Sequence, residues 1–292
     1  MKISIGIATA GRREVLSETL RHLAGQTRPA DAVLVCPATP QDVDEDGVAG
    51  IGLPLRIIPG PIGSCAQRNA ILDHAADTDV MIFLDDDFLP APSFLAETER
   101  LFTAQPDLVV ATGKVLADGI HGPGLAVAEG LAILARDDAA DADGPATPAY
   151  NAYGCNMVVR MAAVSRGRIR FDENLPLYGW QEDVDFCRQL ASHGSIISSP
   201  ALRGVHLGSK RGRSSGLRFG YSQMANPLYL IRKGTVSRGW ALRLMGRNLA
   251  ANLAGSLRRP GLVDRRGRLR GNMLALWDVL RGRLSPRRIL TL

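Results

Sequence analysis

The sequence predicts an α/β fold, a mostly parallel β-sheet flanked by helices, with a basic helical extension at the C-terminal end. Three observations predict it. Short β-branched runs alternate with helix-spaced apolar residues through roughly the first 110 positions. Two of those runs end in chemically unusual turns, Thr9-Ala10-Gly11-Arg12 and Asp85-Asp86-Asp87. The third observation is charge: residues 203–292 hold 20 Lys/Arg and two acids, against 15 and 27 in residues 1–202.

Taken in order, Ile3, Ile5 and Ile7 mark a buried strand that stops at the turn Thr9-Ala10-Gly11. Val15, Leu16, Leu20 and Leu23 then recur at helical spacing over 14–24. Residues 32–35 and 55–58 read as the second and third strands, and Ser64 to about Ala76 as a helix capped by Ser64. Residues 80–84 form a continuous apolar run, the signature of a strand buried on both faces. In sheets of this kind ligands sit beyond the carboxyl ends of the strands, so the two unusual turns should meet at one edge. Residues 137–148, rich in Ala, Asp, Gly and Pro, read as an exposed loop. Residues 151–202 mix strand, helix and loop, with a helix from about Glu182 to His193. A Gly/Ser/Arg stretch over 208–216 precedes further helical segments, and no internal repeat is present.

Composition excludes several classes. With 46% hydrophobic and 22% charged residues in 292, the chain is neither disordered, collagen-like nor a coiled coil. Cys36, Cys65, Cys155 and Cys187 stand singly with no C-x-x-C, so a disulfide framework or zinc site is not expected. Reduced thiols fit a cytoplasmic protein. No apolar run of about 18 residues suggests a spanning helix. Lys2, a short apolar stretch and Ala8-Thr9-Ala10 imitate a signal peptide, but the stretch is short and two arginines follow, so a first strand is expected.

Three adjacent aspartates after a buried strand repel one another unless a cation or strong donors compensate. Mg²⁺ and Mn²⁺ prefer such oxygens and bridge them to phosphates. In a turn, Asp85 and Asp87 can aim at one ion while Asp86 faces elsewhere. A solvated acidic turn is the plain alternative. A phosphohydrolase-type aspartate nucleophile is another, although Phe88-Leu89 lacks the small hydroxyl residue that site needs. A second acidic group, Glu182-Asp183, sits at a helix start, where capping alone explains carboxylates. It equally suits a general base beside a sugar- or lipid-binding surface made by Tyr178 and Trp180. His206, between Val205 and Leu207, is structural unless it completes the aspartate site as a nitrogen ligand.

In order, the chain shows a strand with Thr9-Ala10-Gly11-Arg12, then Gly63 with Arg68-Asn69, then Phe83-Leu84-Asp85-Asp86-Asp87. Phe171-Asp172-Glu173 follows, then Gly179-x2-Glu182-Asp183-x-Asp185-Phe186-Cys187-x2-Leu190. This set resembles the family-two glycosyltransferases over roughly residues 1–206. The resemblance implies the GT-A (Rossmann-like) fold, a nucleotide-diphosphate-sugar donor, Mg²⁺ or Mn²⁺, and inversion at the anomeric carbon. It implies that Thr9, Ala10, Gly11 and Arg12 line the nucleotide pocket, with Arg68 and Asn69 beside the nucleotide-sugar. Asp85 or Asp86 would touch ribose and sugar, and Asp87 would bind the metal, with Asp85 and His206 as further ligands. Asp183, preceded by Glu182, matches the catalytic base, and Tyr178, Gly179 and Trp180 the acceptor side. The family's usual acid after the second strand is missing, because that turn is Cys36-Pro37-Ala38-Thr39; the nucleobase must be recognised differently.

The expected organisation is a catalytic domain over 1–206, with a nucleotide-sugar half (1–115) and an acceptor half (116–206). A basic helical region over 207–292 follows. Its helical stretches, 239–257 and 271–284, carry Leu242, Met245, Leu249, Leu253 and Leu257, then Met273, Leu276, Trp277, Leu280 and Leu284, flanked by arginines that include Arg258 and Arg259. Such stretches suit an anionic membrane surface, or simple packing on the catalytic body. The few interleaved aromatics argue against nucleic acid. A peripheral cytoplasmic enzyme with a lipid-linked or glycan acceptor is the expectation. A GT-A-like nucleotidyltransferase and an inactive sugar-binding scaffold are the alternatives. The first lacks its Gly-rich motif here, and intact Asp85, Asp87 and Asp183 disfavour the second.

Overall fold

The computed structural model describes residues 1–137, 144–209, 215–257 and 263–292. Residues 138–143 of the loop expected over 137–148 fall outside them, as do Arg258, Arg259 and 210–214 of the Gly/Ser/Arg stretch. Among the described residues nine strands form one sheet. They are β1 (Ile3–Thr9), β2 (Ala32–Pro37), β3 (Leu55–Ile57), β4 (Val80–Asp85), β5 (Phe88–Pro90), β6 (Leu108–Asp118), β7 (Thr147–Pro148), β8 (Asn156–Arg160) and β9 (Ser195–His206). The order is β3-β2-β1-β4-β8-β6-β9-β5, with β7 pairing to β9. β1 to β4 are mutually parallel, and β6 and β9 run the same way across the antiparallel β8. The mostly parallel sheet expected from the sequence is therefore present.

Strand alternation decides which core each side chain joins. Along β4, Val80, Ile82 and Leu84 enter one apolar cluster, which takes in Leu16 and Leu20 of α1 (Arg13–Leu23) and Phe94 of α3 (Phe94–Ala104). Met81 and Phe83 enter the other, with Ile71 of α2 (Ser64–Asp73) and Phe186 of α6 (Glu182–Leu190). Full burial of a side chain like Phe83 stabilises by about 1.5–3 kcal/mol. Two further helices complete the body, α4 (Val127–Arg136) and α5 (Met161–Gly167).

The helix at 64 differs from expectation at its start. Gly63, at φ 127°, occupies the cap position, and Ser64 is the first helical residue. Its N–H donates to the Leu177 carbonyl at 2.8 Å, so the loop before α6 satisfies the helix end instead of a hydroxyl.

The tail forms α7 (Gly216–Lys233), α8 (Arg238–Ser256) and α9 (Arg265–Leu280). α9 begins six residues before the apolar spacing that announces it, because Asp264 caps an arginine-rich first turn by accepting from the Gly267 N–H at 2.8 Å. The three helices share an apolar cluster around Tyr221, Met224, Met245 and Ala275. α7 is bolted to the body. Lys233 Nζ reaches Asp172 at 2.8 Å and Asp185 at 2.6 Å, and Asn226 donates to the Trp180 carbonyl at 2.7 Å. No helix among the described residues is long and apolar enough to cross a membrane.

Candidate active site

Strand register gathers the acidic chemistry at one edge. Ala8 of β1 pairs with Asp85 of β4, Phe88 of β5 with His206 of β9, and Asp118 of β6 with His206. Residues from five strand ends thus converge although they are up to 198 positions apart.

The three aspartates separate by direction. Asp86 turns inward: its carboxylate accepts from Thr9 Oγ1 at 2.7 Å and from Arg12 Nη1 at 2.8 Å. Burial pushes Asp86 up to about 6, against the pull of Arg12. Asp87 is fully buried; its Oδ2 accepts from the Ser209 N–H at 2.7 Å and lies 3.3 Å from Arg12. Asp85 is part-exposed and reaches Arg68 at 3.2 Å. Ligand atoms of Asp85, Asp87 and His206 lie within 4.8 Å of one another.

His206 presents Nε2 to Asp87 Oδ1 at 3.3 Å, while Nδ1 lies 2.9 Å from Asp118 Oδ1. Tyr153 Oη donates to the other Asp118 oxygen at 3.0 Å. Burial opposes charge on both groups. Even so, the hydrogen bond to Asp118, the close contact with Asp87 and the charge of Asp87 and Asp85 raise His206 to about 10, while His206, the Ile120 N–H and Tyr153 hold Asp118 down at about 2. Among the described residues the buried Asp87 Oδ1 has no partner closer than His206 Nε2, which approaches it at 3.3 Å without the geometry of a full hydrogen bond. A poorly satisfied buried carboxylate oxygen, a second carboxylate and an oriented imidazole fit a hard divalent cation, which can take the place of the ring proton.

On the opposite wall α2 supplies Arg68, fully buried over the faces of Phe171 and Phe83. It binds Glu182 at 2.6 Å, Asp85 at 3.2 Å and the Gly154 carbonyl at 3.0 Å. Asp183 follows on α6. Its Oδ2 accepts from the Gly154 N–H at 3.0 Å and its Oδ1 from the Val184 N–H at 2.8 Å. Burial raises the pKa of Asp183, and those N–H groups and Arg68 only partly offset it. Burial likewise raises Glu182 against the attraction of Arg68. The loop leading into α6 is strained, with Leu177 at φ 59° and Gln181 at φ 75°. Side chains seldom tolerate this region, and here it turns Trp180 and Asp183 toward the same cavity.

That cavity measures about 390 Å³. It brings together Arg12, Arg68, Asp85, Asp87, Tyr178, Trp180, Glu182, Asp183 and His206 of the residues singled out in the sequence. Thr9, Ala10, Gly11, Asn69, Asp86 and Gly179 lie outside its lining. Thr9 supports Asp86. Asn69 clamps the Phe171–Glu173 segment, donating to the Phe171 carbonyl at 2.9 Å and to Glu173 at 2.8 Å. The Gly11 N–H is taken by Asp42 Oδ1 at 2.6 Å. Asp42 thus supplies an acid just beyond the turn after β2, and its other oxygen accepts from the Thr39 N–H at 2.8 Å.

Asp118, Tyr153, Gly154, Ser209, Phe219, Arg265 and Arg268 belong to the site and escape local sequence reasoning. No spacing signal marks them, since each acts on a partner in a distant segment. The excess of arginine in the tail was the only hint.

The sequence profile of glycosyl transferase family 2 matches residues 4–162, more than half the chain. No curated protein sequence matches it. Among solved structures, mannosyltransferase PcManGT from Pyrobaculum calidifontis, in complex with GDP-Man and Mn²⁺, superposes with a TM-score of 0.57 at 17% identity, covering 99% of this chain and 85% of its own. S. aureus TarS gives 0.55 at 18% identity, covering 89% of this chain and 44% of TarS, so the chain spans less than half that relative's length. TarS 1-349 in complex with UDP-GlcNAc gives 0.52 at 17% identity, with 89% and 74% covered. At such identities the likeness is one of fold, and it is the GT-A fold. With that fold, and with the profile matched over the segment that carries the aspartate turn, the chain belongs to glycosyl transferase family 2.

Proposed function

We propose that the chain is an inverting transferase that moves a sugar from a nucleoside-diphosphate donor to a hydroxyl of a lipid-linked or glycan acceptor. One observation carries this reading: Asp183, fixed by two backbone N–H groups, opens onto the same cleft as Asp85, Asp87 and His206. Asp85, Asp87 and His206 would hold Mg²⁺ or Mn²⁺, which when bound supplies charge neutralisation for the leaving diphosphate. Asp183 takes the proton of the acceptor hydroxyl. That oxygen bonds to the anomeric carbon as the sugar–phosphate bond breaks, and the nucleoside diphosphate departs from the opposite face. Glu182 stays paired with Arg68 and keeps that guanidinium beside Asp85. Trp180 and Tyr178 offer the flat apolar faces that sugar rings stack on.

Arg12, Thr9, Gly11 and Asp42 form the nucleotide end in this reading. The nucleotides held by the structural neighbours, a UDP-sugar and a GDP-sugar, leave both bases to be tried. Residues 1–206 act as the catalytic domain, and 207–292 complete the cleft and face the membrane. Leu242, Leu253, Leu257, Trp277 and Leu280 are each at least half exposed on α8, α9 and the turn after α8, with Arg281 over the Trp277 ring at 4.4 Å. An apolar face fringed with arginine supports peripheral attachment to an anionic leaflet. Four free, buried cysteines support a reducing compartment, hence the cytoplasmic side.

The test is Asp183→Asn, isosteric and uncharged. Transfer should fall by roughly 10²–10⁴ while nucleoside-diphosphate affinity stays within about twofold by calorimetry. Wild-type turnover in that variant would assign the base elsewhere.

A further inference from the structure

Two arginines of the tail, Arg265 and Arg268, line the catalytic cleft. They get there through an unusually close helix contact. A Cβ on Gly220 would run into the Arg268 carbonyl, and one on Gly271 into the Leu217 carbonyl, so α7 and α9 touch backbone to backbone. Asn272 locks the contact by donating to the Gly220 carbonyl at 2.7 Å. This sets the Arg268 guanidinium 4.3 Å from the ring centre of Phe219. Phe219 in turn meets Trp180 edge-on at 5.8 Å and Tyr178 at 6.2 Å. Arg265, three residues back on the same helix, donates to Asn252 Oδ1 at 3.1 Å.

The cleft therefore carries arginines at three places, of which Arg68 is ion-paired with Glu182 and Asp85. Arg12 is ion-paired with Asp86 and Asp87 at the aspartate turn. Arg268 is joined through Phe219 to the aromatic wall that leads into Asp183. A donor diphosphate bound at the aspartate turn would be served there by Arg12 and by a metal that Asp85, Asp87 and His206 would hold. Resting on the function proposed above, we propose that Arg265 and Arg268 form an anion subsite for a phosphate ester on the acceptor, so that the acceptor is a phosphate-bearing glycan or a phosphate-linked carrier. Guanidinium groups bind phosphate oxygens in pairs, and stacking on Phe219 holds one fork in place before the ligand arrives.

The test is calorimetric, on the full chain saturated with Mg²⁺ and the nucleoside diphosphate it binds best. Inorganic phosphate and a medium-chain alkyl phosphate are titrated into wild type, Arg265→Gln/Arg268→Gln and the double Lys variant. Wild type should bind one phosphate beyond the occupied donor site. The Gln variant should lose that affinity by about 10–100-fold, and the Lys variant should keep part of it. Nucleoside-diphosphate affinity should stay within about twofold in both. Tighter binding of the alkyl phosphate assigns a lipid carrier and equal binding a soluble glycan phosphate; either supports the subsite. Absence of a second phosphate in wild type overturns it. So does a tenfold loss of nucleoside-diphosphate affinity in the Gln variant, which would give these arginines to the donor. If no nucleoside diphosphate binds wild type at all, the transferase reading fails first.

Discussion

Asp118 Oδ1 lies 2.9 Å from His206 Nδ1, and this bond turns the opposite ring nitrogen toward Asp87. The carboxylate is itself fixed by Tyr153 Oη and by the Ile120 N–H at 3.0 Å. A carboxylate behind an imidazole fixes its tautomer and raises its basicity as a ligand.

Asp118→Asn should therefore weaken Mn²⁺ binding by about 10–100-fold without touching any ligand atom. Electron paramagnetic resonance titration of free Mn²⁺ reads this directly, independent of turnover. Unchanged affinity would leave Asp118 a purely structural acid.

Burial raises Asp183, and a base works only when ionised. Transfer should thus be fully present at high pH and fall as pH drops through that raised value. The acid limb of kcat/KM should lie above the ordinary aspartate range of about 3.5–4. The limb should persist in kcat at saturating donor and metal, which removes the titration of Asp86 and of the metal ligands from it.

Arg68 neutralises Glu182 and Asp85 from a buried position. Arg68→Met leaves Glu182 buried and unpaired, and removing one partner of a buried pair costs about 3–5 kcal/mol. The melting temperature should fall steeply. Adding Glu182→Gln should recover part of it, because the stranded charge is then gone. If the two losses simply add, the pair is not coupled.

The exposed face of α8 and α9 gives a test distant from the chemistry. Trp277→Ser with Leu280→Ser should cut co-flotation with anionic vesicles several-fold while Mg²⁺-dependent donor hydrolysis stays unchanged. Equal flotation of wild type and variant would mean that this face is not the membrane contact.

Strand and helix placement through Asp85 was legible because buried β-branched runs and 3.6-residue spacing are local signals. The aspartate turn and Glu182-Asp183 were legible too, since close-set charge beside apolar runs is costly without a task, whereas Arg12 and Arg68 were marked by the family resemblance. Asn69 and Thr9 show the limit: the motif marked them, but their side chains are spent holding Phe171 and Asp86 in place. The Ser64 cap failed because the partner of that helix end is the carbonyl of Leu177, more than 100 residues away.

By itself, then, the sequence determined the parallel sheet, the acidic edge and the charge split between body and tail, all properties of neighbouring residues. Only the tertiary structure decided that Asp118 stands behind His206, and that α9 bends part of the basic tail over the cleft. Those pairings depend on strand register and on two glycines letting helices touch, and no short stretch of chain encodes either.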